Sequence, residues 1–197
     1  MKDYPMSFDN FETRTLSNGI ELIANLEPDD HHDAPWDSEC GHGPVSNWTT
    51  RAKQPGERVL IEDRRGAKRY YDFAEAVRIA KRDGWDAPPY GEGTKAQRAA
   101  RAAEADFKRL RGWCNGDWEY VGVVVSVEQD GEEIESHAAS LWGIESDCQD
   151  YFREVANELF DEVAETYAPD DDQEEEEVEE GAEVSIEVVS QDQANAA

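Results

Sequence analysis

Alternating and helix-periodic apolar positions divide the chain into short strands and three amphipathic helices. Phe11–Leu16 and Ile20–Leu26 flank Ser17-Asn18-Gly19, and Asn-Gly between two apolar runs predicts a hairpin. Glu57–Glu62 predicts a strand, Arg64-Arg65-Gly66 a turn, and Lys68–Tyr71 its antiparallel return. Asp72 then stands as the N-cap of a helix over Phe73–Asp83. Its Phe73, Ala76, Val77 and Ala80 share one face, and Gly84 stops it. A Pro/Gly linker, Asp86–Gly93, leads to Thr94, the cap of a second helix from Lys95 to about Arg111 that is Ala-rich and basic. Trp118–Glu128, with Val121-Gly122-Val123-Val124-Val125 inside it, reads as a buried strand. It turns through Gln129–Glu132 into Ile134–Trp142. Ser146 is expected to cap a third helix, Asp147–Thr166, which Pro169 ends.

These elements predict an α+β fold: a largely antiparallel sheet with about three helices and an acidic C-terminal tail. The expected body is 1–167. Residues 168–197 are expected to form the tail, where Asp170–Glu180 is a like-charge block expected not to pack. Val184–Val189 is a short strand-like run beyond it. No internal repeat is visible.

One stretch has no periodicity. Glu27–Gly56 is rich in Asp, Pro, Gly and His, and a loop of that length in a compact domain is usually functional or ordered by contacts that periodicity does not show. It contains His31, His32, Cys40 and His42, all metal-ligand residue types. Their spacing matches no strong zinc signature, and no CxxC or HxxxH pair is present. Opposed to a metal site stands a polar loop that Trp36 and Trp48 anchor to the core. No cofactor is expected. Cys114 with His137 as base lacks an elbow, an oxyanion hole or a Cys–His–Asn set, so the expectation is a protein that is not an enzyme.

Charge changes this picture most. The 197 residues hold 47 Asp/Glu against 19 Lys/Arg, a net of -28. Thr50–Arg111 nevertheless holds 16 bases against 10 acids, whereas residues 112–197 hold 27 acids and one base, Arg153. So anionic a chain repels phosphates except at a shielded basic patch. Direct nucleic-acid binding is therefore not expected as its main role, despite Tyr70, Tyr71 and Trp85 among the bases. The basic middle is expected to neutralise the acidic helix and tail, within the protein or across a homodimer. The three cysteines are odd in number and scattered, no membrane-length apolar run is present, and Met1–Pro5 is not expected to open a signal peptide. These features suit a cytoplasmic protein with reduced thiols.

The third helix carries the sharpest pattern. Asp147, Asp150, Glu154, Glu158, Asp161 and Glu165 recur at spacings of three and four, the period of one helical face. Tyr151, Phe152, Val155, Leu159 and Val163 are expected to pack on the sheet. Like charges at i,i+4 destabilise a helix by a few tenths of a kcal/mol per pair. The plain reading is a solvated face. The functional one is a carboxylate row imitating the phosphates of a nucleic-acid strand, which recur every ~3.4 Å of axis.

At Asp37–Ser46, Gln54–Arg58 and Leu141–Asp147 the chain resembles small acidic proteins encoded by bacteriophages and mobile elements, over roughly residues 30 to 165. By charge alone it is similar to antirestriction and anti-CRISPR proteins that mimic DNA. That resemblance carries over no site residue. The carboxylate row from Asp147 to Glu165 and the acidic tail lead to the expectation of a non-enzymatic inhibitor whose partner is a basic, nucleic-acid-binding host defence protein in the host cytoplasm. The alternative is an adaptor that binds a protein partner through the 27–56 loop, with or without a metal.

Overall fold

The computed structural model describes residues 10–38 and 41–167. The acidic block Asp170–Glu180, the run Val184–Val189 and Cys40 lie outside the described residues. The fold is α+β, with a four-stranded antiparallel sheet, a two-stranded sheet and four helices among the described residues.

The larger sheet has the order β1-β2-β5-β6, from β1 (Glu12–Thr15), β2 (Glu21–Pro28), β5 (Tyr120–Gln129) and β6 (Glu132–Glu145). The Asn18-Gly19 hairpin joins β1 to β2 with Arg14 opposite Leu22. Valine-rich β5 lies between β2 and β6. Side chains alternate across a strand, so Val121, Val123, Val125 and Val127 all face one side. Helix α4 (Gln149–Tyr167) covers that side with Phe152, Val155, Ala156, Leu159, Phe160 and Val163. Tyr151, expected in this face, is instead 45% exposed and Phe160 is buried. The buried stripe follows 152, 155, 156, 159, 160 and 163, which places Tyr151 at its margin.

On the opposite side of β5 the Trp142 ring covers Gly122. A Cβ built there would meet ring atoms at 2.4 and 2.5 Å. A register shift between Val121 and Val123 accommodates this contact by setting Trp142-Gly143 against Gly122 alone.

A second core forms without the larger sheet. β3 (Glu57–Glu62) pairs with β4 (Lys68–Asp72). Against them pack α2 (Phe73–Asp83) and α3 (Lys95–Asn115) through Leu60, Tyr71, Ala76, Ala103, Phe107 and Leu110. Asp72 caps α2 by accepting from the Glu75 N–H, and Thr94 with Gln97 forms a capping box on α3. Glycines in the left-handed region, Gly84 and Gly116, end the two helices. Helix α3 runs four residues past its expected end because Gly116, not Gly112, takes that conformation.

The unpatterned loop is built into this second core. After one turn of helix, α1 (Pro35–Ser38), the chain runs along β4. Val45 bridges Tyr71 and Thr49 bridges Lys68. The N–H groups of Ser46, Thr49 and Asp72 donate to Tyr70, Lys68 and Pro44 carbonyls. Long-range backbone pairing orders the segment, and such pairing leaves no periodic mark in a sequence. Among the described residues no helix is long and apolar enough to cross a membrane.

Candidate functional site

The carboxylate row lies on the solvent side of α4. Asp150, Glu154, Glu158, Asp161 and Glu165 are all exposed, as is Glu162, which the spacing pattern left out. Among the described residues, Asp150, Glu154, Glu158 and Glu165 make no ion pair, whereas Asp161 is held by Arg14 of β1 at 2.5 Å. Arg14 also donates to Asn157 and lies over the Phe160 ring. It thereby fastens the middle of α4 to the edge of the sheet. The one base of the helix, Arg153, reaches back to Glu12 at 3.7 Å.

Asp147 does not belong to this row. The helix begins at Gln149, and Ser146 is not its cap. The Ser146 hydroxyl accepts from the Glu119 N–H instead, tying the end of β6 to the start of β5. That leaves Asp147 in the turn, where both its oxygens accept from Arg109. Arg109 also reaches Glu145 at 2.7 Å and stacks on Trp118 at 3.7 Å. Its hydrogen bond holds the Asp147 carboxyl below the usual carboxylate range. Glu145, Asp147 and Cys148 are close enough together to hold a cation; the cation in contact with both carboxylates is Arg109 itself.

Among the described residues, no base of the basic middle forms an ion pair with α4. The ion pairs of the middle close within its own half: Arg51–Glu57, Arg58–Glu104, Lys68–Glu62, Arg78–Glu75 and Arg101–Asp86. Among the described residues, Arg109 alone of these bases reaches the sheet half. Residues 10–30 and 117–167 hold 20 acids against two bases. The two charge populations of the sequence are thus two regions of the fold.

The His/Cys constellation does not assemble among the described residues. His31 is exposed. His32 stacks on Tyr120 with ring centroids 3.7 Å apart, beside Gly143. His42 sits elsewhere, its Nδ1 2.5 Å from the Asp106 carboxylate. Asp106, with a side chain only 9% exposed, also accepts from the Gly43 N–H at 2.7 Å and from the Tyr71 hydroxyl at 2.6 Å. Burial first, then the hydrogen bond to Asp106, push the Tyr71 phenol far above its ordinary range. Gly43 cannot carry a side chain here, since a Cβ would lie 2.5 Å from the Tyr71 ring. This node pins the loop to α3. Nothing in the periodicity of α3 marks Asp106 as its centre, because the partners come from residues 63 and 35 positions away.

Cys114 and His137 occupy different places. Burial pushes the Cys114 thiol up to about 11 at the second core. His137 lies exposed on β6 beside Ser136 and Glu27. A thiol so protonated is a poor nucleophile.

The anionic surface has a second component that the pattern did not single out. Glu132, Glu133 and Glu135 are exposed on the edge strand β6. Glu135 accepts from the Tyr167 hydroxyl at the end of α4, so the acids of β6 adjoin those of the helix. Comparison of the chain with models of protein families, with curated proteins and with solved structures returned no match.

Proposed function

We propose that this protein is a non-enzymatic inhibitor whose anionic α4 face occupies the nucleic-acid cleft of a basic host defence protein, of restriction or CRISPR type. The supporting observation is the unneutralised row Asp150, Glu154, Glu158 and Glu165. Four exposed carboxylates sit on a helix anchored to a sheet, and among the described residues no base of the 41–116 half forms an ion pair with that helix. Carboxylates on a packed helix hold fixed spacing, which a flexible acidic chain does not. The field of such a face raises association rates and makes them fall with salt. The origin in a phage or mobile element and the cytoplasmic setting belong to the same proposal.

The structure determines which residues to reverse. Asp161 holds Arg14, so changing it tests packing as well as charge. Glu154→Lys, Glu158→Lys and Glu165→Lys together leave the Arg14 contacts in place. The expected result is a folded variant that no longer competes with DNA or RNA for captured nucleic-acid-binding proteins, whereas wild type competes at low salt and is released at high salt. A triple variant that inhibits as well as wild type would falsify the proposal.

A further inference from the structure

The basic half holds a concave site that the anionic reading does not use. A cleft of about 740 Å³ lies between the segment after Thr49, the β3–β4 pair and the end of α3. Thr50, Arg51, Lys53, Arg58, Lys68 and Arg111 line it, over Tyr70 and Phe107, and no acid is among its lining residues. Five cations converging on one cleft oppose the charge of a chain with 47 acids.

These cations divide into two kinds. Arg51 is fixed by two bonds to Glu57, at 2.7 and 2.6 Å, and stacks on Tyr70 at 4.7 Å. Arg58 is fixed by Glu104 at 2.6 Å and stacks on Phe73 at 3.6 Å. Lys68 has Glu62 at 3.5 Å. Lys53 and Arg111, by contrast, are exposed and enter no ion pair among the described residues. The fixed pairs shape the cleft, whereas Lys53, which acts on Glu57 only through space, and Arg111, which lies 5.9 Å from the Phe107 ring centroid, hold no carboxylate in an ion pair among the described residues. An anion with several acceptor oxygens matches these two cations and the nearby Thr50 hydroxyl, because charge-assisted bonds to phosphate oxygens are the strong ones.

We propose that this cleft binds phosphate groups, those of a nucleotide or of a single nucleic-acid strand, through Lys53, Arg111 and Thr50. Its volume falls in the range of sites for small molecules and cofactors, about 300–1,000 Å³. Tyr70 and Phe107 are buried beneath the cleft, so they do not offer open faces for stacking bases. Binding therefore follows the number of phosphates and not the base.

The test uses the full chain and fluorescence anisotropy with a labelled oligothymidylate at low salt, with inorganic phosphate and ATP as competitors. The expected result is saturable binding that Lys53→Glu with Arg111→Glu weakens by about tenfold or more. The log–log salt slope should shrink by about 1.4, two phosphate contacts at ~0.7 each. Arg78→Glu, on the exposed side of α2, should bind like wild type. Competition by ATP and phosphate identifies a small phosphate ester as the ligand; binding of the oligonucleotide alone identifies a strand. Both outcomes uphold the site. No binding of any of the three probes, or binding that survives the double reversal, overturns it. The α4 triple variant should retain this binding, which separates failure here from failure of the inhibitor reading.

Discussion

Asp106 shows how one side chain organises a segment without any pattern in its sequence. It accepts from the Gly43 N–H and the Tyr71 hydroxyl and meets His42, all in a nearly closed site. An unsatisfied buried donor costs about 1–3 kcal/mol. Asp106→Ala strands the Gly43 N–H and leaves Tyr71 only its longer contact, 3.3 Å, to the Ala103 carbonyl. The expected loss is about 2–3 kcal/mol in urea unfolding. Amide exchange should quicken at Ser46 and Thr49 before it does in β5. Uniform protection across both segments would contradict this role. The His residues of the same loop were legible as polar and chemically able. Their separation was not, because it depends on Tyr120 and Asp106, residues 88 and 64 positions away along the chain.

Among the elements, the turn before α4 is the most informative join. A Ser146 cap would place Asp147 in the first turn of α4 and in the acidic row. The helix starts two residues later because Ser146 is engaged with Glu119, and Asp147 is drawn to Arg109 instead. This contact links α3 of one core to the end of β6 in the other. Arg109 holds the Asp147 carboxyl below its ordinary range, so its folded pKa lies under the unfolded one. The associated stability is present above the unfolded carboxylate value, ~3.9, and is lost as pH falls through the folded value. Asp147→Asn should therefore cost stability at neutral pH, and the gap should close in acid. The Asp147 side chain is 49% exposed, and solvent screening keeps the expected cost to about 0.5–1 kcal/mol. Urea titrations of both proteins at neutral pH and at successively lower pH, to about 2, measure this. A gap of equal size at every pH would exclude the ion pair as its cause.

Across the whole molecule, charge is segregated and its cost is long-range. The sheet-and-α4 region holds 20 acids against two bases, whereas residues 41–116 hold 16 bases against 10 acids. Self-repulsion within the acidic half opposes folding. Salt reduces its range, since the Debye length falls from ~30 Å at ~0.01 M to ~8 Å at ~0.15 M. The melting temperature should rise over that interval, by about 2–4 °C for each kcal/mol of relieved repulsion. A melting temperature that falls instead would mean that the internal ion pairs outweigh the repulsion.

The amino-acid sequence carries most of the elements through local rules, though not α1, the end of α3 or the start of α4. The Asn-Gly hairpin, the Asp72 and Thr94 caps, the glycine stops and the valine-rich strand depend on neighbours a few positions away. It also determined that charge falls into two populations, since that is a matter of counting. The packing of distant segments puts these populations in separate cores and lets the basic segment close its ion pairs at home instead of on α4. It likewise decides that Phe160 replaces Tyr151 in the core, that Asp147 leaves the helical row, and that Lys53 and Arg111 face one cleft. The physical reason is common to all of these. They depend on which surfaces meet across tens of residues, and neither helical period nor alternation records a contact between distant positions.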